Sequence, residues 1–148
     1  MELFLDPPLG DAALPHHGYS YPHQIKIDEK YKPFHFSGEV RVNSTLVGGT
    51  SKDFNVFTDR RFLTAKTQFL AQGEGKFSVL FDANVKMIYF YIVKGSLSVQ
   101  GFESASANEG ELLFVSPSEG VQGSPPPSLE LLSGPGSEII QVCLSKLN

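Results

Sequence analysis

The sequence predicts an all-β fold, and three observations support this class. Apolar and polar residues alternate along short segments, as they do in strands that bury one face. These segments are rich in β-branched and aromatic residues, with 12 Phe and 5 Tyr in a chain of 148 residues. Turns rich in Gly, Pro and Ser separate them, which favours a sandwich or a closed barrel. No stretch has the spacing of an amphipathic helix.

Alternation with a period of two marks the strands in chain order. The predicted strands cover residues 40–46, 77–81, 87–93, 96–99, 111–115, 129–132 and 138–144. The segment 87–93 is apolar throughout, so we expect both of its faces to be covered. Gly95 predicts a tight hairpin directly after this strand, because glycine readily adopts the left-handed backbone of such a turn.

The remaining segments are expected to be the turns and loops of a single domain. A chain of 148 residues is long enough to bury its own core, so we assign residues 1–148 to one domain. Residues 6–22 are weakly patterned and contain Pro and Gly, which predicts a surface loop. Residues 116–128 and 134–136 have the composition of turns.

Composition and charge argue against several classes of function. The net charge is −4 and the longest basic run is Arg60-Arg61, so we expect no nucleic-acid partner. No apolar run approaches the roughly 20 residues of a membrane-spanning helix, and the N-terminus lacks the features of a signal peptide. Cys143, the single cysteine, is expected to be a small buried hydrophobe. We therefore expect a cytoplasmic protein without a membrane partner.

Two segments resemble parts of the cupin fold. Residues 91–99 resemble the strand–glycine–strand piece at which one edge of a cupin sheet folds back. Residues 108–115 resemble the later cupin strand that combines a glycine, an acid and apolar residues. The resemblance implies a cupin-like double-stranded β-helix, which is the jelly roll of RmlC-like proteins.

A more specific motif lies upstream of these segments. Residues 32–39 (KPFHFSGE) precede residues 46–50 (LVGGT), and residues 52–60 (KDFNVFTDR) follow. This order resembles the HutD/Ves family of bicupins, whose hallmark is GG-x-x-x-DFNVMTRR after an F-x-G strand. The resemblance extends over most of the chain from about residue 33. The matching positions are Gly48, Gly49, Asp53, Phe54, Asn55, Val56, Thr58 and Arg60.

The chain also departs from the family pattern. Phe57 stands where the family usually has Met, and Asp59 stands where it usually has Arg. The second difference replaces a positive charge by a negative one, which argues against an anion site at that position. We expect the additional N-terminal strands of the family to be missing, which leaves three alternatives open: a shortened member, a fragment, or a form whose open sheet edge is covered by a second chain. The resemblance therefore implies a bicupin-like fold that is truncated at its N-terminus.

The candidate site residues lie within the same motif. We expect Asp53, Asn55, Thr58 and Arg60 to bind a ligand, with Arg60 forming two parallel hydrogen bonds to a ligand carboxylate. A structural alternative stays open. Asp53 and Asn55 would then stabilise a turn after Gly49 through hydrogen bonds from side chain to backbone, and Arg60 would be a surface residue or part of an ion pair.

The sequence predicts neither a metal site nor a nucleophilic centre. Catalytic cupins typically use an H-x-H pair, a Glu and a further His on a later strand. The histidines here are His16, His17, His23 and His35, and no two have the H-x-H spacing. No Ser lies in a G-x-S-x-G elbow, and no glycine-rich segment has the lysine of a phosphate loop. We therefore expect no cofactor.

The resemblance implies a non-enzymatic, regulatory protein that binds a small molecule. Family members are linked to bacterial histidine utilisation, and the implied ligand is a small acidic intermediate such as formylglutamate. Two alternatives stay open. A metal-independent cupin enzyme acting on a small acid or sugar would use His35 with Asp53 as its acid–base pair. An oligomeric interaction module, such as a homodimer, would present a large apolar face.

Overall fold

The chain is built from β-strands, as the sequence predicts. The structure is a computed structural model, and it describes residues 2–6, 24–38, 41–82, 84–100, 105–116 and 128–147. Within these ranges there is no helix, and hence none long and apolar enough to cross a membrane. The chain divides into two compact units, Met1–Phe57 and Thr58–Asn148. The assignment of one domain to residues 1–148 stays a prediction, since two compact units can belong to one domain.

The first unit contains a three-stranded antiparallel sheet. Its strands are β1 (Glu2–Asp6), β2 (Gln24–Lys26) and β3 (Arg41–Thr45), in the spatial order β2-β1-β3. Strand β3 confirms the strand that the alternation predicts over residues 40–46. The predicted loop over residues 6–22 begins at the last residue of β1, and its remainder lies outside the described residues.

The second unit is a jelly roll. Its described strands are β4 (Leu63–Gln72), β5 (Gly75–Leu80), β6 (Val85–Lys94), β7 (Ser96–Val99), β8 (Ser106–Asn108), β9 (Leu112–Val115), β10 (Ser128–Ser133) and β11 (Ser137–Lys146). They form two antiparallel sheets, the long sheet β4-β11-β6-β9 and the short sheet β5-β10-β7-β8. This arrangement of consecutive strands is the double Greek key of a jelly roll. The predicted cupin-like jelly roll is therefore confirmed.

Strands β1, β2, β4 and β8 have no counterpart among the predicted strands. β4 carries Thr64, Lys66 and Gln68 at alternate positions, and its local hydrophobic pattern is weak. What makes it a strand is its pairing with β11, which runs without a break from Ser137↔Gln72 to Lys146↔Leu63. This pairing joins distant parts of the chain, so no local period indicates it.

The hairpin predicted at Gly95 is wrong. Strand β6 belongs to the long sheet, whereas β7 belongs to the short sheet and pairs there with β10 and β8. Gly95 does have the predicted left-handed backbone, with φ of 81°. The turn nevertheless carries the chain from one sheet to the other. Both kinds of turn need the same glycine conformation, so the residue type does not distinguish them.

The core of the second unit lies between the two sheets. The inner face of β6 consists of Ile88, Phe90 and Ile92, all fully buried. Leu97 and Leu131 face them from the short sheet and are equally buried. The alternate residues of β6, on its outer face, are mostly half-buried, as expected for the apolar run over residues 87–93. Burial of these apolar side chains is the main favourable contribution to folding.

The Ser137 hydroxyl joins two of the places where the chain crosses between the sheets. Gly95 connects β6 to β7, and residues 134–136 connect β10 to β11. Ser137 is 1% exposed, and its Oγ accepts a hydrogen bond from the Ser96 N–H at 3.2 Å. As a donor, the same Oγ lies 3.0 Å from the Ser96 carbonyl oxygen and 2.9 Å from that of Gly134.

Ser133 has a similar role at a third crossing. Residues 73 and 74 connect β4 of the long sheet to β5 of the short sheet. The buried Ser133 hydroxyl lies 2.7 Å from the Gly73 carbonyl oxygen and 3.2 Å from that of Gly75, so it donates across this connection. Two buried hydroxyls, one at the end of β10 and one at the start of β11, thus hold three crossings.

Replacing Ser137 by Ala should lower the free energy of unfolding by about 1–3 kcal/mol, because buried backbone groups lose their partner. Equilibrium unfolding in urea measures the change. Ser106→Ala, at an exposed position of β8, is the control and should change the free energy by less than about 0.5 kcal/mol. Equal effects of the two substitutions would contradict the role assigned to Ser137.

Replacing Gly95 by Ala should destabilise the protein more than replacing Gly110 by Ala. The two residues share a left-handed backbone, with φ of 81° and 83°. A Cβ at Gly95 would lie 2.5 Å from Ser137 Oγ and 3.0 Å from Ser137 Cα, whereas one at Gly110 would meet no described atom within 4 Å. Backbone strain alone costs about 1–2 kcal/mol, and the contact should add about 1–3 kcal/mol. Thermal unfolding measures both, and equal midpoints would refute the close packing.

Candidate functional site

The four predicted site residues lie in two different units. Asp53 and Asn55 are exposed in the first unit, whereas the half-buried Thr58 and the exposed Arg60 belong to the second. None of the four lies in a strand. Their role in ligand binding, and the structural alternative to it, stay predictions.

The Gly-Gly part of the motif has a backbone explanation. Gly48 and Gly49 follow β3 with φ of 93° and 124°. Residues with a Cβ rarely adopt a positive φ, whereas glycine does so readily. The chain after this turn is exposed, and Phe57 keeps 83% of its surface accessible. The paired glycines are therefore required by the turn itself.

A carboxylate–guanidinium pair follows the motif. Asp59 Oδ1 accepts hydrogen bonds from the backbone N–H and the Nε of Arg61, both at 3.0 Å, and Oδ2 accepts from Nη2 at 2.6 Å. The Asp59 carbonyl oxygen accepts from the N–H groups of Phe62 and Leu63, each at 3.0 Å. The aspartate that replaces the family's usual arginine thus engages Arg61 and closes the turn that leads into β4.

These contacts explain why the pKa of the Asp59 carboxyl is lowered. The hydrogen bonds from the Arg61 side chain and backbone lower the pKa of the Asp59 carboxyl to about 2, and the charge of Arg60 acts in the same direction. Both arginines that end the motif therefore act on a carboxylate of the chain itself.

A cavity of about 260 Å³ lies between the two sheets of the second unit. It is lined by Gln68 and Leu70 of β4, by Phe77, Ser78, Val79 and Leu80 of β5, and by Gln141 of β11. Val79 is buried, whereas Gln68, Ser78 and Leu80 are exposed, so part of the lining faces solvent. The volume is slightly below the usual range for small-molecule pockets. The lining combines the apolar side chains of Leu70, Phe77, Val79 and Leu80 with polar groups, and polar atoms form the larger part of its accessible wall.

Two glutamine amides provide the polar groups on the inner side of this cavity. Gln141 is 4% exposed and lies opposite Gln68 in the register of β11 and β4. Gln68 Nε2 donates to Gln141 Oε1 at 2.8 Å, and Gln141 Nε2 donates to Cys143 Sγ at 3.2 Å. A buried amide is costly unless it is hydrogen-bonded. The row from Gln68 to Cys143 meets that requirement and places uncharged donors and acceptors beside the cavity.

Cys143 takes part in this row as a partly buried residue. It packs against the hydrophobic core, as predicted for a small hydrophobe, although it is half-buried and not fully enclosed. Its position on β11 gives it the same inward face as Ile139 and Gln141, since alternate residues of a strand share one face.

The sequence analysis did not single out the glutamine pair. Gln68 and Gln141 are 73 positions apart and meet only through the pairing of β4 with β11. A signal was available at Gln141, which interrupts the apolar run of β11 at an inward position. An amide in such a place needs a polar partner, but the partner's identity follows only from the register.

A metal centre is not formed by the residues that the structure describes. Among them, no group of three or more His, Cys, Asp or Glu could hold an ion. His35 is exposed, and its neighbours Phe34 and Phe36 stack with ring centroids 5.8 Å apart. The other histidines, His16, His17 and His23, lie outside the described residues. The absence of a metal cofactor stays a prediction.

Comparison with known proteins identifies a family. The family model described as HutD matches residues 17–124, which is 108 of the 148 residues. No curated protein matches the sequence. Among solved structures, the EutQ protein of Clostridium difficile aligns with a TM-score of 0.36 and 21% identity, over 58% of this chain and 59% of that chain. The present chain thus covers less than two thirds of the EutQ chain.

Replacing Arg61 by Gln should raise the pKa of Asp59 from about 2 towards 3.8, because the carboxylate loses its guanidinium partner. The pair stabilises the folded chain above the unfolded pKa, and this stabilisation is lost as the pH falls towards about 2. A carbon-13 NMR titration of the Asp59 carboxyl measures the shift. Arg41→Gln, at an exposed position of β3, is the control. An unchanged titration midpoint in the Arg61 variant would disprove the pairing.

Proposed function

Because the chain belongs to the HutD family of the cupin superfamily, we propose that it is a non-enzymatic, cytoplasmic regulatory protein that binds a small molecule inside its jelly roll. The observation that carries this proposal is the cavity between the sheets, whose lining combines four apolar side chains with a pair of amides. Such a combination favours binding, because apolar side chains supply affinity and a few polar groups orient the guest.

The cavity is better suited to holding a molecule than to transforming one. Its described lining consists of apolar side chains, two carboxamides and one hydroxyl. Carboxamides neither accept nor release protons near neutral pH, so they cannot act as a general acid or base. The Ser78 hydroxyl is hydrogen-bonded to the carboxylate of Glu130 on the adjacent strand. These groups support recognition and orientation of a guest.

The proposed ligand is a small acidic metabolite, with formylglutamate from histidine utilisation as the first candidate. This part of the proposal follows from the resemblance to HutD/Ves proteins. Among the motif residues Asp53, Asn55, Thr58 and Arg60, the last carries the positive charge that a ligand carboxylate prefers. We therefore assign carboxylate recognition to Arg60 as part of the same proposal.

A thermal-shift panel with formylglutamate, urocanate, glutamate and histidine tests the function. A ligand present at 100 times its dissociation constant should add about 2.7 kcal/mol to the free energy of unfolding, and we expect this from an acid of the panel. Leu70→Phe narrows the cavity and should abolish the shift. Leu112→Phe is the matched control, because Leu112 lies on β9 away from the lining, and it should keep the shift.

Two results would count against the proposal. If the panel leaves the unfolding midpoint unchanged and Arg60→Ala behaves like the parent protein, the chain is not a sensor of these metabolites. If a ligand stabilises the Leu70→Phe variant as much as the parent protein, binding occurs outside the cavity between the sheets.

A further inference from the structure

We propose that the part of the ligand that enters the cavity is an uncharged amide, and that Gln68 and Gln141 recognise it by hydrogen bonding. This inference rests on the proposed function, because it concerns the same cavity. It goes further by naming the chemical group that the protein selects. The argument has two steps, the first from charge and the second from hydrogen-bonding capacity.

The lining provides no positive charge that could compensate the negative charge of a buried carboxylate. None of the described residues that line the cavity is charged. Lys66, the next residue on this face of β4, is exposed and lies opposite Cys143, outside the lining. An ionised group that leaves water needs a counter-charge or several donors, and its transfer is costly without them. The cavity therefore favours a neutral guest.

The glutamine pair has hydrogen-bonding capacity left for a guest. Its internal bond uses Gln68 Nε2 and Gln141 Oε1. Each carboxamide carries two N–H donors and a carbonyl oxygen that can accept twice. One N–H group of Gln141 donates a hydrogen bond to the Cys143 sulfur, which is a weak acceptor. Gln68 lies at the exposed end of the pair, where its remaining groups can reach a guest.

An amide is the guest that matches this pair in either orientation. If both glutamine amides rotate together by half a turn, donors and acceptors exchange, and the Cys143 thiol changes from acceptor to donor. The pair can then offer a carbonyl oxygen or an N–H group. A guest amide carries a donor and an acceptor in one plane and can bind in both cases, whereas a carboxylate only accepts.

The test compares glutaramide, glutaramate and glutarate, which share one carbon skeleton and are neutral, singly charged and doubly charged. We expect the two amides to shift the side-chain amide signals of Gln68 and Gln141 in nitrogen-15 NMR spectra. Glutarate should bind at least about tenfold more weakly. The diol 1,5-pentanediol, with hydroxyls in place of the amides, should also bind more weakly than glutaramide.

Charge substitutions at Gln68 provide the decisive comparison. Gln68→Lys should reverse the preference, so that glutarate binds about tenfold more tightly than to the parent and glutaramide more weakly. Gln68→Met should weaken glutaramide binding without any gain for glutarate. Thr64→Lys is the matched control, because Thr64 is exposed on the same face of β4 but does not line the cavity. It should keep the preference of the parent protein.

The outcomes separate this inference from the proposed function. If glutarate or the diol shifts the two glutamine signals as strongly as glutaramide does, the amide assignment fails and the cavity remains a binding site. If none of the four molecules shifts them, the amide assignment fails, whereas the proposed function fails only if the thermal-shift panel is also negative. If Thr64→Lys reverses the preference as Gln68→Lys does, Gln68 is not the residue that selects the ligand.

Discussion

Buried hydroxyls hold three of the crossings between the two sheets of the jelly roll. The crossings at residues 73 and 74, at Gly95 and at residues 134–136 each carry the chain from one sheet to the other. Ser133 bonds across the first, and Ser137 joins the second to the third. Hydroxyls with buried backbone partners are costly to remove, so this end of the sandwich has a defined geometry.

The position of each strand within its sheet explains why a cavity lies beside a close-packed core. Strands β6, β10 and β7 are central and fill the sandwich with large apolar side chains such as Phe90 and Leu131. β4 and β5 are the outermost strands of their sheets on the other side, and most of the cavity lining comes from them. Fewer neighbours cover side chains at the edge of a sheet, so space and polar groups are tolerated there. The Gln68–Gln141 bond spans the transition from this edge to the buried strand β11.

The candidate site shows which functional residues a local sequence pattern can identify and which it cannot. The motif around Asp53 and Arg60 was visible in the sequence because its residues are adjacent, and the Asp59–Arg61 pair joins residues only two positions apart. The cavity could not be recognised in that way. Its glutamines appear as unremarkable polar residues in two separate strands, and only β-pairing over ten residues brings them together.

The sequence by itself determined the all-β class, most of the strands, the glycine at the crossing after β6 and the HutD family, because each depends on residue types and spacing within short segments. The tertiary structure alone decided which strands share a sheet. At Gly95 a local hairpin and a crossing need the same backbone, and the choice follows from the pairing of β7 with β10 and β8. The same holds for the glutamine pair. Strand partners are selected by hydrogen bonds and burial between distant segments, which a local period does not encode.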